Sequence, residues 1–490
     1  MSAKILVSFW KTGSATGLER PVKALWLGLG FMLVVATACG GEDGDEGAIS
    51  DTTPSSNRSN STGSGPTWEV TTVTESGGLH VRIAANADRT AMAWYSDSGV
   101  NDGPCDELDS DVPPDRIRWP LTYAERGIDG TWTTELVTDA AILGEPPGLD
   151  LTLANDGPLV AALTGLPFSR GPLGYCGAHD VGLFSRDGDG TWSAEVAVAE
   201  SGTAATGEAA SDFGSVVGYW PALALDPNGQ PAIAYKDVHS GSIMSDDLRR
   251  ADLELAWRQG GGWRAIPIDF GKGAGNFNSI TFDPNDGTPY LAYVNPFEDI
   301  DEPALGVWVT RSTDGGDTWE RVQLFSVGTP DGPDVVVTAE GTLHVLFYNA
   351  SRGYPELATL DSPDNFTSLS NGWTLEDIGQ SRYDEGYDAS IAVSPDSDIL
   401  AVAYRRCARA TAGLGECSAA EDALIFAWRD GPEWVWEVVD EGEEGSCGED
   451  LDLAFDADDR PVIGYSCQVL TEEGDLTTEV RFARRARSLP

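Results

Sequence analysis

His80, His179 and His239 sit among carboxylates at the ends of three successive repeat units, the one arrangement in the chain suggesting a transition-metal site. Neutral imidazole suits zinc, but a close-spaced pair such as H-x-x-x-H is absent, so no metal site is assigned. The acidic stretches Asp97–Asp111 and Asp237–Asp247 offer oxygen ligands of the kind calcium takes. Their carboxylates do not follow EF-hand spacing, so calcium has room to bind but no cofactor is required. Tyr219, Trp220, Tyr383 and Tyr387 provide a different chemistry, apolar stacking faces for a sugar or a protein surface. No nucleophile elbow, P-loop or dinucleotide fingerprint occurs.

These residues are positioned by a repeat. Leu79–Asp97, Gly148–Gly165, Tyr219–Asp237, Asn276–Asn295, Asp334–Ala350, Tyr387–Arg406 and Glu449–Cys467 each alternate apolar with small or polar residues and turn at a polar segment, best formed as Asp-Pro-Asn. They then alternate again into an aromatic. Period-2 alternation around such a turn predicts a β-hairpin. A Trp opens a further short strand before each hairpin: Trp68, Trp132, Trp192, Trp263, Trp319, Trp373, and either Trp434 or Trp436. With a third strand between, such as Leu253–Arg258, each unit supplies four strands and recurs about every 50 to 70 residues, the period of a propeller blade. The expected fold is all-β, a seven-bladed β-propeller of four-stranded antiparallel blades, with six blades as the alternative. The phase of the two ends predicts closure. A Trp strand from Thr67 to Val73 lacks a blade before it, and the last strand, near Val480–Arg484, lacks a Trp strand after it. Pairing them completes the seventh sheet and removes an open edge. The recurring Trp is expected to pack between adjacent sheets.

In this architecture the long, irregular connections lie on one face, where scaffolds carry recognition. Besides Cys39 there are six cysteines, an even number that suits an exported chain. All six map to that face. Hairpin pairing brings Cys447 to Cys467, Cys407 and Cys417 close a local loop, and Cys105 and Cys176 remain for neighbouring blades.

Ser312-Thr313-Asp314-Gly315-Gly316-Asp317-Thr318-Trp319 resembles the Asp-box, S-x-D-x-G-x-T-W, of sialidases and related BNR-repeat propellers. Ser185–Trp192 is a second copy with Asp189 where the pattern has Gly, and Asp129-Gly130-Thr131-Trp132 is a remnant. The resemblance implies that Ser312, Asp314, Gly316, Thr318 and Trp319 fix a turn away from any substrate, as short polar side chains do. It also implies a catalytic alternative. Sialidases hold a carboxylate with three arginines and attack with a Tyr activated by a Glu, roles open here to Arg352, Arg382, Arg405, Tyr383 and Glu385. No Arg-Ile-Pro segment accompanies them, and fold resemblance alone does not make an enzyme.

With 31 Lys+Arg against 79 Asp+Glu, a formal net charge of -48, the surface repels nucleic acid and anionic membranes. Lys4, Lys11, Arg20 and Lys23 precede the apolar run Ala24–Ala36, too short for a membrane span. The sequence Ala36-Thr37-Ala38-Cys39-Gly40 resembles a bacterial lipoprotein signal, with Ala36 where Leu or Val is preferred. That implies residues 1–38 as a signal peptide and lipidation of Cys39. Residues 39–66, acidic and Gly/Ser-rich, read as a disordered tether, and 67–490 as the propeller. The expectation is a monomer in the cell envelope, anchored to the outer membrane or cell surface. It acts as a binding module for a glycan or protein ligand, with a divergent sialidase-like glycoside hydrolase as the alternative.

Overall fold

The computed structural model describes residues 67–104, 115–143, 146–164, 179–198, 216–238, 252–269, 273–296, 305–327, 329, 331–367, 369–379, 383–409, 422–441, 446–470 and 476–490. Cys39, the signal and tether, Cys105, Cys176, Cys417, Arg382 and His239 lie outside them. Almost every described element is a β-strand, apart from a 3-10 turn at Pro363–Asn365 and a short helix at Leu369–Gly372.

Seven antiparallel sheets form in chain order. Their first strands are Leu79–Ala85, Leu149–Ala154, Val216–Leu225, Asn276–Phe282, Asp334–Val337, Tyr383–Val393 and Cys447–Phe455, opening blades 1 to 7. Each first strand touches the first strands of the blades on either side, and blade 7 touches blade 1, so these strands form a closed inner ring. Blade 1 carries one strand beyond the expected four, Val100–Pro104, folded back on Asp115–Arg126. Blade 7 is completed as the phase of the ends predicts: Trp68–Thr74 pairs antiparallel with Leu476–Arg485, Trp68 opposite Arg485 and Thr71 opposite Phe482.

The apolar core is distributed. Buried side chains fall into seven clusters, one at each junction between neighbouring blades, including the junction of blade 7 with blade 1. This follows from the alternation, because each sheet turns one set of side chains to each neighbour and has two buried faces. The outer-strand tryptophans plug these junctions. Trp68 meets Phe426 of blade 6 edge-on at 5.1 Å, Trp132 meets Phe482 of blade 7 at 5.1 Å, and Trp192 meets Tyr123 of blade 1 at 5.2 Å. In blade 6 the plug is Trp434, buried against blade 5, whereas Trp436 is largely exposed and donates to the Ile378 carbonyl.

The closing strand is thus held by apolar burial and by polar anchorage, since Trp68 Nε1 donates to Glu437 Oε2 at 2.9 Å and Arg485 grips the same carboxylate. Trp68→Ala is expected to cost about 3–5 kcal/mol, while Val438→Ala, at an exposed position of blade 6, should stay within about 0.5 kcal/mol. Denaturant unfolding of the two variants measures the difference; equal small losses would mean that the closing strand adds little to the ring.

Candidate binding site at the channel mouth

Equivalent register positions on the seven first strands are Arg82, Asp150, Ala222, Ser279, Asp334, Ser390 and Asp452. Three carboxylates and two hydroxyls among them tie blade to blade. Asp150 accepts from Leu223 N–H at 2.5 Å, Ser279 from Val335 at 3.2 Å, and Asp334 from Ile391 at 2.9 Å. Ser390 accepts from Leu453 at 3.3 Å, and Asp452 from Ile83 at 2.9 Å. Each bond crosses to the next blade. The Ser279 and Ser390 hydroxyls donate in turn to Asp334, at 2.6 and 3.1 Å. Arg82 supplies the positive charge within this acidic ring.

Two residues earlier on each strand comes the mouth: His80, Gly148, Trp220, Phe277, Gly332, Asp388 and Asp450. Five of these are not glycine and have left-handed backbones, with φ from 46° to 55°. Bulky residues seldom adopt this conformation, and each costs on the order of 1 kcal/mol. A register break in the first hairpin of each of these blades accommodates it. Two residues earlier again those five blades have Gly78, Gly218, Gly275, Gly386 and Gly448, all with positive φ. A Cβ on Gly218 would stand 3.1 Å from the Val181 backbone, and one on Gly386 2.7 Å from Pro355 N, so here the strand runs hard against the preceding blade. Blade 2 puts Pro146 at that point instead, and blades 2 and 5 have glycine at the mouth itself.

The mouth residues form a continuous rim. His80 Nε2 lies 2.8 Å from the Pro146 carbonyl and its Nδ1 3.5 Å from Asp450. Trp220 N–H donates to the Pro147 carbonyl, and its ring lies 5.1 Å from Phe277 and 5.4 Å from Tyr219. Phe277 packs against Gly332. Blades 3 and 4 therefore make an aromatic wall. Behind it Lys236 is buried, its Nζ 5.4 Å from the Trp220 ring centre and donating to the Gly273 carbonyl and to Asn276 Oδ1. Burial lowers its pKa to about 7.

The opposite wall is acidic. Arg405 pairs with Glu449 at 2.5 Å and approaches Asp388 at 3.8 Å. Burial pushes the Asp388 carboxyl well up, helped by Asp331 and Asp450 and opposed by Arg405, and pushes Asp331 up to about 6. Beside it, Tyr348 and Tyr387 hydroxyls lie 3.0 Å apart and both donate to Asp384, at 2.7 and 3.2 Å. Burial raises the pKa of both phenols, so neither is poised as a phenolate.

Of the residues singled out from sequence, Tyr219, Trp220 and Tyr387 lie at or beside this mouth. Tyr383 instead lies under Arg406, whose guanidinium stands 4.4 Å from its ring centre, and Glu385 is buried. Arg352 is committed to Asp377 on the fourth strand of blade 5, at 2.8 Å, whereas Arg405 is bound to first-strand carboxylates of blades 6 and 7. The two guanidinium groups are thus held by different blades. His179 is buried, neither of its ring nitrogens has a hydrogen-bond partner, and burial lowers its pKa to about 4. Among the described residues, the one group of side chains spaced to share a metal ion is Asp440 with Cys447 and Cys467, and those cysteines are joined in a disulfide. Cys407 is also disulfide-bonded. The Ser312–Trp319 turn is self-contained: Asp314 accepts from Thr318 N–H at 2.8 Å and from its hydroxyl at 2.6 Å, bonds that lower its pKa to about 2, and Ser312 accepts from Gly316 N–H.

No protein-family model matches the chain, and no curated protein sequence does. Among solved structures, a protein of unknown function from Dyadobacter fermentans is 10% identical, with 86% of this chain and 100% of that one covered and a TM-score of 0.43. A sialidase from Trypanosoma rangeli is 13% identical, with 74% and 57% covered and a TM-score of 0.41. An α-L-arabinofuranosidase from Fusarium graminearum is 16% identical, with 71% and 92% covered and a TM-score of 0.40.

Burial pushes Asp150 up to about 7 and Asp452 up to about 6, with Arg82 pulling both back. Unfolded aspartates release their protons near 3.9. Between about pH 4 and 7 the folded state therefore holds more protons, and stability drawn from these two groups declines as pH rises. Asp150→Asn should flatten the fall in melting temperature across that window relative to wild type. An unchanged slope would exclude Asp150 as a titrating group.

Proposed function

We propose that the protein is a lipid-anchored recognition module of the bacterial cell envelope, binding a glycan or protein ligand at the channel mouth without converting it. The observation that carries this reading is the rim itself. Five strained residues from five blades gather at the channel mouth, and strain of this kind gathers where a surface is held for a ligand. An aromatic wall facing a charged wall supplies contact area on one side and orientation on the other. The Asp-box-like turn at Ser312–Trp319 is explained by its internal hydrogen bonds, so it supports the scaffold rather than chemistry. The Cys39 anchor and the acidic tether would hold the wheel off the membrane as a monomer.

A sialidase-like hydrolase is the second reading, favoured by one observation: Asp384 joins two tyrosines beside Arg405, whose guanidinium lies 5.9 Å from the Tyr387 ring centre. Against it stand the raised phenol pKa values and the engagement of Arg405 with Glu449 and Asp388. A glycan array probed with the full-length chain separates the two. Binding reduced at least about tenfold by Trp220→Ala, with no release of fluorophore from sialosides, is the expected result. Turnover that disappears in Arg405→Ala would replace the binding reading with hydrolysis.

A further inference from the structure

Resting on that recognition reading, we propose that the mouth selects a glycan with a free primary amine, a hexosamine left unacetylated. Its ring face would lie against Trp220 and Phe277, and its ammonium against Asp388 and Asp450. Two independent features converge on this ligand. The first is the unbalanced acidic wall. Asp331, Asp388, Glu449 and Asp450 have the Arg405 guanidinium and the His80 imidazole as their basic neighbours, while Glu449 also accepts from Gln468 and Ser446 and Asp331 from the Asp388 backbone N–H. Asp331 Oδ2 is shielded from solvent and has no hydrogen-bond partner. A buried carboxylate oxygen without a donor is unfavourable, and a cation with several N–H donors relieves it.

The second is the placement of the aromatic wall. Trp220 and Phe277 belong to blades 3 and 4, across the ring from Asp388 and Asp450 in blades 6 and 7. A lysine side chain carries its charge at the tip of a thin stem and would gain most from aromatics and carboxylates gathered around one point. A hexosamine separates an apolar C–H face from its amine by the width of a ring, which suits walls that face each other. Lys236 behind Trp220 disfavours a cation on the aromatic side and so fixes the orientation. An anionic sugar would meet like charge at the acidic wall.

Isothermal titration of the full-length chain with glucosamine trisaccharide, its fully N-acetylated counterpart and trilysine tests the proposal. The amine sugar should bind at least about tenfold more tightly than the acetylated one, as expected for a charge-assisted hydrogen bond, and should weaken with added salt. Asp450→Asn should reduce its affinity about fivefold or more with the melting temperature kept, and Asp388→Asn serves if that variant misfolds. Equal or tighter binding of the acetylated sugar, still dependent on Trp220, would overturn the amine assignment and leave recognition standing. Tighter binding of trilysine would place a peptide in the mouth instead. Amine binding indifferent to both aspartates would assign it to the general acidic surface and overturn the proposal. Loss of every Trp220-dependent signal would sink the recognition reading itself.

Discussion

Five backbone N–H groups on the inner strands, each handed to a carboxylate or hydroxyl of the preceding blade, set the spacing on which the rest of the wheel depends. A first strand has one edge paired to its own blade and the other facing the axis, where a regular ladder has no partner. Burying such an edge unpaired would be costly. The short side chains of aspartate and serine serve as substitute acceptors, and the sheets are brought to a common radius. The cost is electrostatic: three carboxylates are taken out of water with Arg82 as their counter-charge, and burial raises the pKa of two of them, Asp150 and Asp452, against the pull of Arg82.

Once that radius is set, the rim above it follows. The chain must turn from the loop on one face into a strand crowded by its neighbour, and it does so through a glycine, a left-handed residue and a register break. The left-handed residue is lifted out of the ladder, so its side chain is free of the alternating in-out pattern. Tryptophan, phenylalanine, histidine and aspartate can therefore occupy backbone-equivalent positions without disturbing the blades. Scaffold and recognition surface are set by different positions of one short segment.

The architecture was legible in the sequence because it rests on polarity. Alternation in the seven hairpins, the Trp heading each outer strand and the phase of the two ends all report which side chains are buried. The Trp434 or Trp436 ambiguity was resolved by burial: both lie on the same face of one strand and reach blade 5, but only Trp434 is buried there, while Trp436 stays exposed and donates to the Ile378 carbonyl. The rim was less legible, because a backbone angle leaves little trace in hydropathy. A trace does exist: Gly78-x-His80-x-Arg82, Gly218-x-Trp220-x-Ala222, Gly275-x-Phe277-x-Ser279, Gly386-x-Asp388-x-Ser390 and Gly448-x-Asp450-x-Asp452 share one spacing. Blades 2 and 5 are the two that depart from it. The three-arginine grouping rested on which face a residue occupies. A face spans the whole radius of a blade, so it does not distinguish Arg352, tied to Asp377 on an outer strand, from Arg405, held by first-strand carboxylates.

The closing sheet carries a consequence for biosynthesis. Among the described strands Trp68–Thr74 pairs with Leu476–Arg485, so a strand that precedes every blade in the chain waits for one that follows the other six blades. Until then the wheel is an arc with two raw ends, the apolar face for Trp68 open on blade 6 and the Ile83 N–H of blade 1 without its Asp452 acceptor. Non-local pairing of this span is slow to form and leaves sticky edges exposed meanwhile. The same arrangement makes the finished ring cooperative, because fraying at either terminus must break the contacts of the other.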